Sequence, residues 1–227
     1  MSSKESKMRE AICALGAKLA TRGLCPGTSG NISARIDDGW LMTPTNSSLG
    51  ELEPGQLSKL DLSGKHVGGD PPTKEALLHR SVYDVRPKDG AIVHLHCTHA
   101  VAISCLDPSC HHNNETTLPP ITPYFVMKVG HVPVVPYHRP GAPEAAALVA
   151  QIIERYGTQG TPIRAVVLER LGPNVWHDTP AAAMAVLEEL EETARLWFMS
   201  RFLPQGAPAP LDAGQINDLR RNFGARW

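Results

Sequence analysis

The sequence predicts an α/β protein with an antiparallel or mixed sheet, and three observations lead to this prediction. Helical and strand-like hydrophobic patterns alternate along the chain, but they do so irregularly. Two turn sequences, Asp38-Gly39 and Ser63-Gly64, each stand between short segments of strand character, as in β-hairpins. The 227 residues are 42% hydrophobic, which is enough for one large domain with its own core.

The N-terminal part is predicted to form a helix, two hairpins, a second helix and a strand. Residues 6–22 carry apolar side chains at helical spacing, namely Met8, Ile12, Leu15 and Leu19. Gly23 ends this helix, and the first hairpin covers Gly27 to Thr45. The second hairpin joins LSKLDL to KHVGG. A helix from Thr73 to Val85, with the threonine as N-cap, then precedes a strand with the sequence AIVHLH.

The remaining elements alternate between helix and strand. In chain order they are a helix over Thr98–Leu106, a strand VGHVPVVPY ending at Tyr137, a helix over Pro143–Tyr156, a strand over Ile163–Leu168 and a helix over Pro180–Leu203. A linker rich in proline, glycine and alanine precedes a short helix near residues 211–221. We therefore expect one domain over residues 1–203, followed by a C-terminal linker and short helix over residues 204–227.

Charge and composition exclude several classes of protein. The formal net charge is -1 and the pI is about 6.8, so the chain lacks the broad positive charge that attracts nucleic acids or anionic membranes. No apolar window reaches the roughly 20 residues of a membrane span, and the first residues are polar. Five cysteines without a CxxC pair indicate neither a disulfide framework nor a zinc ribbon. We expect a cytoplasmic protein without nucleic-acid or membrane partners.

Histidine is the unusual feature of the composition. Seven of the ten histidines fall between His94 and His138. His94 and His96 stand two apart on a predicted strand, so their imidazoles project from one face and can reach one metal ion. Two core histidines with satisfied hydrogen bonds would give the same pattern. A third donor is needed, and Glu75 at the start of the preceding helix is a candidate, although glutamate is also common in a first helical turn.

Three short segments have the composition of phosphate-binding turns. Residues 27–31 (GTSGN), residues 43–47 (TPTNS) and Thr73-Lys74 combine glycine, hydroxyl and amide side chains with one lysine. Backbone N–H groups and hydroxyls at turns and helix starts can bind a phosphate without a P-loop. Ordinary turn chemistry explains each segment equally well, so the prediction depends on their joint presence.

The order of these motifs resembles the class II aldolase/epimerase family, which includes adducin-like proteins. The resemblance covers about Met8 to Leu203 and is carried by GTSGNIS, TPT, TKEALLH, HLHCTH and LEELEETARLWF. It implies a three-layer α/β/α fold with a mainly antiparallel or mixed central sheet. Within the family, ITPYFVMKVGHVPVVPYHRPG and EELEETARL look most like the branch that decarboxylates 3-oxo-tetronate 4-phosphates.

The resemblance also implies roles for individual residues. His94 and His96 would bind a divalent metal, usually Zn2+, with Mn2+ or Co2+ as alternatives. Glu75 would act as acid/base and, without substrate, as a metal ligand. Tyr124 would approach the site of a neighbouring subunit, because relatives are homotetramers with interfacial active sites. The substrate phosphate would be held by Thr28, Asn31, Thr45, Asn46, Thr73 and Lys74.

The expected activity is metal-dependent decarboxylation of a 3-oxo-tetronate 4-phosphate to dihydroxyacetone phosphate and CO2 through a metal-stabilised enediolate. A sugar-phosphate aldolase or 4-epimerase would use the same metal chemistry. A non-catalytic, adducin-like binding module is a further alternative.

One position departs from the family pattern. The third metal histidine of the family lies in an Asn-His-Gly segment, and residues 169–173 (ERLGP) place Leu171 there. Leucine cannot bind a metal, so another donor completes the site, the metal is bound weakly, or activity is lost. We expect a substituted donor, and the candidates are His99, His138, His177 and Glu75.

Overall fold

A computed structural model describes residues 3–106, 116–204, 206 and 208–227 of the chain. The strands are β1 (Asn31–Ile36), β2 (Gly39–Met42), β3 (Ser58–Asp61), β4 (His66–Gly68), β5 (Ala91–His94), β6 (Val134–Val135), β7 (Ala165–Leu168) and β8 (Gly172–His177). The helices are α1 (Ser3–Thr21), α2 (Ala76–Val85), α3 (Thr98–Ser104), α4 (Pro143–Thr158), α5 (Pro180–Ser200) and α6 (Ala213–Phe223). Short 3-10 and π-helical turns cover Leu49–Glu51 and Phe125–Val129.

The strands form one sheet in the order β4-β3-β2-β1-β5-β8-β7-β6. Neighbouring strands are antiparallel except β6 and β7, which are parallel. Helices α1, α3 and α5 share an apolar cluster with one face of the sheet, and α2 and α4 share a second cluster with the other face. The predicted three-layer fold with a mainly antiparallel sheet is therefore confirmed.

Strand β5 lies at the centre of the sheet, and both of its faces are covered. Val93 belongs to the cluster of α1, α3 and α5, whereas Ile92 belongs to the cluster of α2 and α4. Because side chains alternate along a strand, His94 points to the same side as Ile92. Helix α2, which follows Glu75, covers this side of the sheet.

Both predicted hairpins are present. In the first, Ile36 pairs with Gly39 across the Asp38-Gly39 turn. Gly39 has a φ of +153°, and a Cβ atom there would overlap the carbonyl group of Leu60 on β3. The glycine is needed for its positive φ and for the close approach of the neighbouring strand.

Two predicted boundaries near the candidate site were wrong. Helix α2 begins at Ala76 with Glu75 as its N-cap, so Thr73 is not the cap. The Oγ1 atom of Thr73 instead accepts a hydrogen bond of 3.3 Å from the backbone N–H of Glu75. Strand β5 ends at His94, so His96 lies beyond it rather than on it. The hydrophobic pattern predicted that β5 would continue through His96, but its regular strand pairing ends at His94.

Strand β8 is a central strand that the sequence did not reveal. Its first residues are Gly172 and Pro173, and proline lacks the N–H that a strand donates. The strand tolerates Pro173 because that residue acts as an acceptor, with its carbonyl oxygen 3.2 Å from the backbone nitrogen of Leu95. By contrast, the long strand predicted to end at Tyr137 contains only Val134 and Val135.

The C-terminal segment packs against the rest of the chain. Helix α6 begins with a capping box formed by Asp212 and Gln215. Leu219 and Trp227 belong to the same apolar cluster as Phe125. The division at residue 203 stays a prediction. No helix in the described ranges is long and apolar enough to cross a membrane.

Candidate active site

A pocket of about 180 Å3 lies at the C-terminal end of β5. Every residue predicted to bind phosphate or metal lines this pocket, namely Thr28, Asn31, Thr45, Asn46, Thr73, Lys74, Glu75, His94 and His96. Leu171 and Pro140 are also part of its wall. The tertiary structure thus brings together six segments that are separate in the sequence.

His94 is held in one orientation by the neighbouring strand. It is only 1% exposed, and its Nδ1 atom lies 2.9 Å from the carbonyl oxygen of Pro173 on β8. Because a carbonyl oxygen only accepts, Nδ1 carries the proton and Nε2 keeps its lone pair. Burial lowers the pKa of His94 to about 3, and the neighbouring His96 contributes to this shift. His94 is therefore a neutral imidazole suited to coordinate a metal through Nε2.

His96 lies beside His94, as predicted. The centroids of the two rings are 5.1 Å apart and the ring planes meet at 63°. Burial also lowers the pKa of His96, so both rings are neutral at neutral pH. The two imidazoles are close enough to serve one site even though only His94 belongs to the strand.

Glu75 is a buried carboxylate at the N-cap of α2. It is 7% exposed, and its Oε1 atom accepts a hydrogen bond of 2.8 Å from the backbone N–H of Gly141. Burial raises the pKa of Glu75, and the bond from Gly141 opposes this effect. A carboxyl group with a raised pKa can both accept and release a proton closer to neutral pH, as general acid–base catalysis requires.

Gly141 was not identified from the sequence. Its φ is +77°, and a Cβ atom there would lie 2.9 Å from the carbonyl oxygen of Lys74. Glycine is therefore required for the loop before α4 to approach both Lys74 and Glu75. A glycine between a proline and an alanine indicates a turn, but nothing in the sequence shows which residue the turn contacts.

The phosphate-binding candidates form the polar side of the pocket. Gly30 has a φ of +83°, and a Cβ atom there would lie 2.9 Å from the carbonyl oxygen of His94, so glycine keeps this turn against β5. The Oδ1 atom of Asn31 is buried and has no hydrogen-bond partner among the described residues. Among the described residues, Lys74 is the one lysine or arginine in the wall of the pocket.

The donor set contains two imidazoles and one carboxylate. These groups suit a divalent cation such as Zn2+ in ligand type and in protonation state. Within the described part of the chain, no group of three histidine, cysteine, aspartate or glutamate side chains is arranged as a metal site. Leu171, the position at which the resemblance implies a histidine in relatives, lies in the pocket wall.

The other histidines considered as a third donor lie elsewhere. The Nδ1 atom of His99 lies 2.7 Å from Glu191 of α5. His177 is at the far end of β8, opposite the first residue of β5. His138 is half-buried, and its Nδ1 atom lies 2.7 Å from the carbonyl oxygen of Pro136. Since none of them lines the pocket, Glu75 is the remaining candidate.

Buried polar groups surround His94 on the face covered by α2. Asn31 and Asn174 are its direct partners on the two adjacent strands. Asn174 is fully buried, and neither atom of its amide has a hydrogen-bond partner among the described residues. His79 is also fully buried, and its Nδ1 atom lies 2.7 Å from the hydroxyl oxygen of Ser33. Burial lowers the pKa of His79 to about 3. The sequence did not identify Asn174, because β8 was not recognised.

Tyr124 does not line this pocket. It precedes the π-helical turn and is 60% exposed. Any contact between Tyr124 and an active site would therefore involve another copy of the chain, as the resemblance implies. The interface role of Tyr124 stays a prediction.

Comparison with known proteins agrees with the geometry of the pocket. Residues 10–198 match the protein family described as Class II Aldolase and Adducin N-terminal domain. The chain is 48% identical over 226 residues to the 3-oxo-tetronate 4-phosphate decarboxylase of Cupriavidus necator, covering 99% of this chain and 100% of that protein. It is 43% identical over 198 residues to the enzyme of the same name from Pectobacterium atrosepticum, covering 87% of this chain and 86% of that protein.

A solved structure gives the same result for the fold. The crystal structure of YgbL from Escherichia coli, described by the three terms aldolase, epimerase and decarboxylase, superposes with a TM-score of 0.86. The two chains are 36% identical, and the superposition covers 96% of this chain and 100% of YgbL.

Proposed function

The chain belongs to the class II aldolase and adducin family, and on this premise we propose that it decarboxylates a 3-oxo-tetronate 4-phosphate to dihydroxyacetone phosphate and CO2. It is accordingly a carbon–carbon lyase. The observation that carries the proposal is the single pocket in which Glu75, His94 and His96 meet the polar turns. The decarboxylases of C. necator and P. atrosepticum support the choice of reaction within the family.

The substrate phosphate is proposed to lie against the polar side of the pocket. The residues that bind it are Thr28, Asn31, Thr45, Asn46, Thr73 and Lys74. Hydroxyl, amide and backbone N–H donors share the phosphate charge with Lys74, so a strongly basic surface is not required. This arrangement is consistent with the net charge of -1.

His94 and His96 are proposed to hold a divalent metal, with Zn2+ as the first choice, Mn2+ or Co2+ as alternatives, and Glu75 as a third ligand in the absence of substrate. When bound there, the metal supplies a Lewis acid that stabilises negative charge on the substrate oxygens. The hydrogen bond from His94 Nδ1 to Pro173 directs Nε2 into the site.

Glu75 is proposed to move the proton. Loss of CO2 leaves an electron pair at the neighbouring carbon, and one proton must be delivered there to form dihydroxyacetone phosphate. The buried Glu75 carboxyl, with its raised pKa, can deliver this proton and recover one from solvent. Gly141 holds Oε1, which leaves Oε2 for the substrate.

The remaining parts of the proposal concern the assembly and its role. We propose a homotetramer with active sites at subunit interfaces, in which Tyr124 approaches the site of a neighbouring chain and takes part in catalysis. Its exposure of 60% leaves it free for such a contact. The proposed setting is cytoplasmic catabolism of sugar acids, with residues 1–203 as the family domain and residues 204–227 as the C-terminal linker and short helix.

The test is release of CO2 from 3-oxo-tetronate 4-phosphate by protein supplied with Zn2+. We expect turnover by the wild type and at most a residual rate in Glu75→Gln. Equal rates in the two proteins would contradict the proposal. The same site could also cleave an aldol, because both reactions leave the same type of carbanion. Cleavage of a ketose 1-phosphate without release of CO2 would therefore assign the protein as an aldolase.

Metal binding separates an enzyme from an adducin-like binding module. We expect the wild type to bind Zn2+ more tightly than His94→Ala in a competition with a chromophoric chelator. Equal, weak binding by both proteins would favour the non-catalytic alternative.

A further inference from the structure

A second polar cavity lies at the opposite end of β5 from His94. Its volume is about 730 Å3, and Trp176 and His177 of β8 form part of its wall. His177 pairs with Ala91, the first residue of β5, whereas His94 is the last. The strand thus separates this cavity from the proposed active site, and none of the residues proposed to bind the metal or the phosphate lines it.

Basic side chains dominate the charge of this cavity. Its wall contains Arg86, Lys88, Arg164 and Arg226 against two acidic residues, Asp89 and Asp178. His177 is the further titratable group, and its Nδ1 atom accepts a hydrogen bond of 2.8 Å from the backbone N–H of Asp178. The cavity therefore carries an excess of positive charge, although the whole chain is nearly neutral.

Among the described residues, three of the four basic side chains in this wall lack a direct hydrogen bond or ion pair. Arg86 is paired with Asp89, whose carboxylate lies 2.6 Å from the guanidinium Nε atom. In the described ranges, Lys88, Arg164 and Arg226 make neither a side-chain hydrogen bond nor an ion pair. Partial burial and the nearby charges of Arg226 and Arg86 lower the pKa of Arg164, and the carboxylates of Asp89 and Asp178 oppose this shift only in part. Keeping like charges together in a half-buried cavity is unfavourable unless an anion neutralises them.

We propose that this cavity is a second ligand site, which binds a small phosphate-bearing anion through Arg164 and Arg226. A guanidinium group presents a planar pair of donors that matches two oxygens of a phosphate. The volume leaves room for an organic substituent on the phosphate. Lys88, which is exposed at the rim, adds long-range attraction.

The test measures phosphate binding in a protein whose proposed active site is weakened. In a Lys74→Gln background, inorganic phosphate and glycerol 3-phosphate are titrated by calorimetry at constant ionic strength. We expect one remaining site in the low millimolar range or tighter, weakened at least about tenfold by Arg164→Gln or by Arg226→Gln. Tighter binding of glycerol 3-phosphate than of inorganic phosphate would identify a phosphate ester as the ligand, and equal binding would identify the free ion.

Arg195→Gln is the matched control. Arg195 is an exposed arginine of α5 that pairs with Glu192 at 3.0 Å, outside both cavities that the test compares. We expect Arg195→Gln to bind phosphate like its parent. The proposal is overturned if Arg164→Gln and Arg195→Gln bind equally well, or if Lys74→Gln alone abolishes all binding.

A measurement of stability guards against a folding defect. Without phosphate, Arg164→Gln should melt at the same temperature as its parent or higher, because it removes repulsion between like charges. With phosphate at about ten times its Kd, the parent should gain roughly 2–4 °C and Arg164→Gln should gain less. If Arg164→Gln fails to fold, the exposed Arg226 provides the same comparison through Arg226→Gln. An equal gain in parent and variant would contradict the proposal.

Discussion

The Nδ1 atom of His94 donates a hydrogen bond to the carbonyl oxygen of Pro173, at 2.9 Å. This contact joins β5, which carries a proposed metal ligand, to β8, which begins directly after Leu171. The same carbonyl oxygen lies 3.2 Å from the backbone nitrogen of Leu95. Although Leu171 cannot coordinate a metal, the backbone of the same segment still orients His94.

Glu75→Gln should lower activity and raise stability together. The substitution removes the proton-transferring group, so kcat should fall by about 10²–10⁴. The folded-state pKa of Glu75 is raised, so its favourable contribution exists at low pH and is lost as pH rises through that pKa. At pH 7 the buried charge is therefore unfavourable, and the metal-free variant should melt at a higher temperature than the wild type.

Glu144→Gln is the control for this substitution. Glu144 is an exposed residue in the first turn of α4, so its replacement should change neither kcat nor the melting temperature appreciably.

Gly141→Ala should disturb the site through the backbone. A Cβ atom at φ +77° would lie 2.9 Å from the carbonyl oxygen of Lys74, so the loop must move and weaken its bond to Glu75. We expect a loss of about 1 kcal/mol or more in the free energy of unfolding and a fall of about tenfold in kcat/KM. Kinetics and urea unfolding measure the two effects.

Gly157→Ala is the control for this substitution. Gly157 lies in the last turns of α4, and a Cβ atom there would meet no other atom within 4 Å. Alanine should be neutral or stabilise by about 0.5–1 kcal/mol, with unchanged activity. If both glycine variants behave alike, the loop at Gly141 does not position Glu75.

Leu171→His should strengthen metal binding. Leu171 lines the same pocket as His94 and His96, so an imidazole there can supply the missing nitrogen ligand. We expect the affinity for Zn2+ to rise at least about tenfold in a chelator competition. Leu171→Gln adds a polar group without an imidazole and should bind like the wild type. No gain in Leu171→His would indicate that the wild-type donor set is already complete.

The metal-free protein should lose stability as pH falls from 7 to 5. The pKa values of His79 and His94 are about 3 in the folded state, well below the ordinary value of 6.5. Between those values the unfolded chain binds more protons, so the stability present above pH 6.5 is lost as pH falls toward 3. Each histidine should contribute a loss of about 1–2 kcal/mol by pH 5.

Urea unfolding at pH 7, 6 and 5 in the presence of a chelator measures this slope. His94→Asn should show a shallower dependence on pH, because one buried imidazole has been removed. His66→Asn, a change at an exposed histidine of β4, should keep the wild-type slope. Identical slopes in all three proteins would show that burial does not suppress protonation of His94.

Local patterns predicted most of the elements for identifiable reasons. The apolar stripe of α1 and the Asp38-Gly39 turn depend on interactions within a few residues, so both appear in the structure as expected. Strand β8 was missed because Gly172-Pro173 has the local chemistry of a turn. Its place in the sheet depends on hydrogen bonds to β5 and β7, which are distant in the sequence.

The sequence by itself determined which chemical groups are present, because metal-binding and phosphate-binding residue types occur at characteristic local spacings. Only the tertiary structure decided how these groups are used. It places Glu75 against Gly141 and His94 against Pro173, contacts that span 66 and 79 residues. The pKa changes of both side chains arise chiefly from burial, which no local pattern fixes. The protonation states on which the proposed chemistry depends are therefore properties of the packed fold.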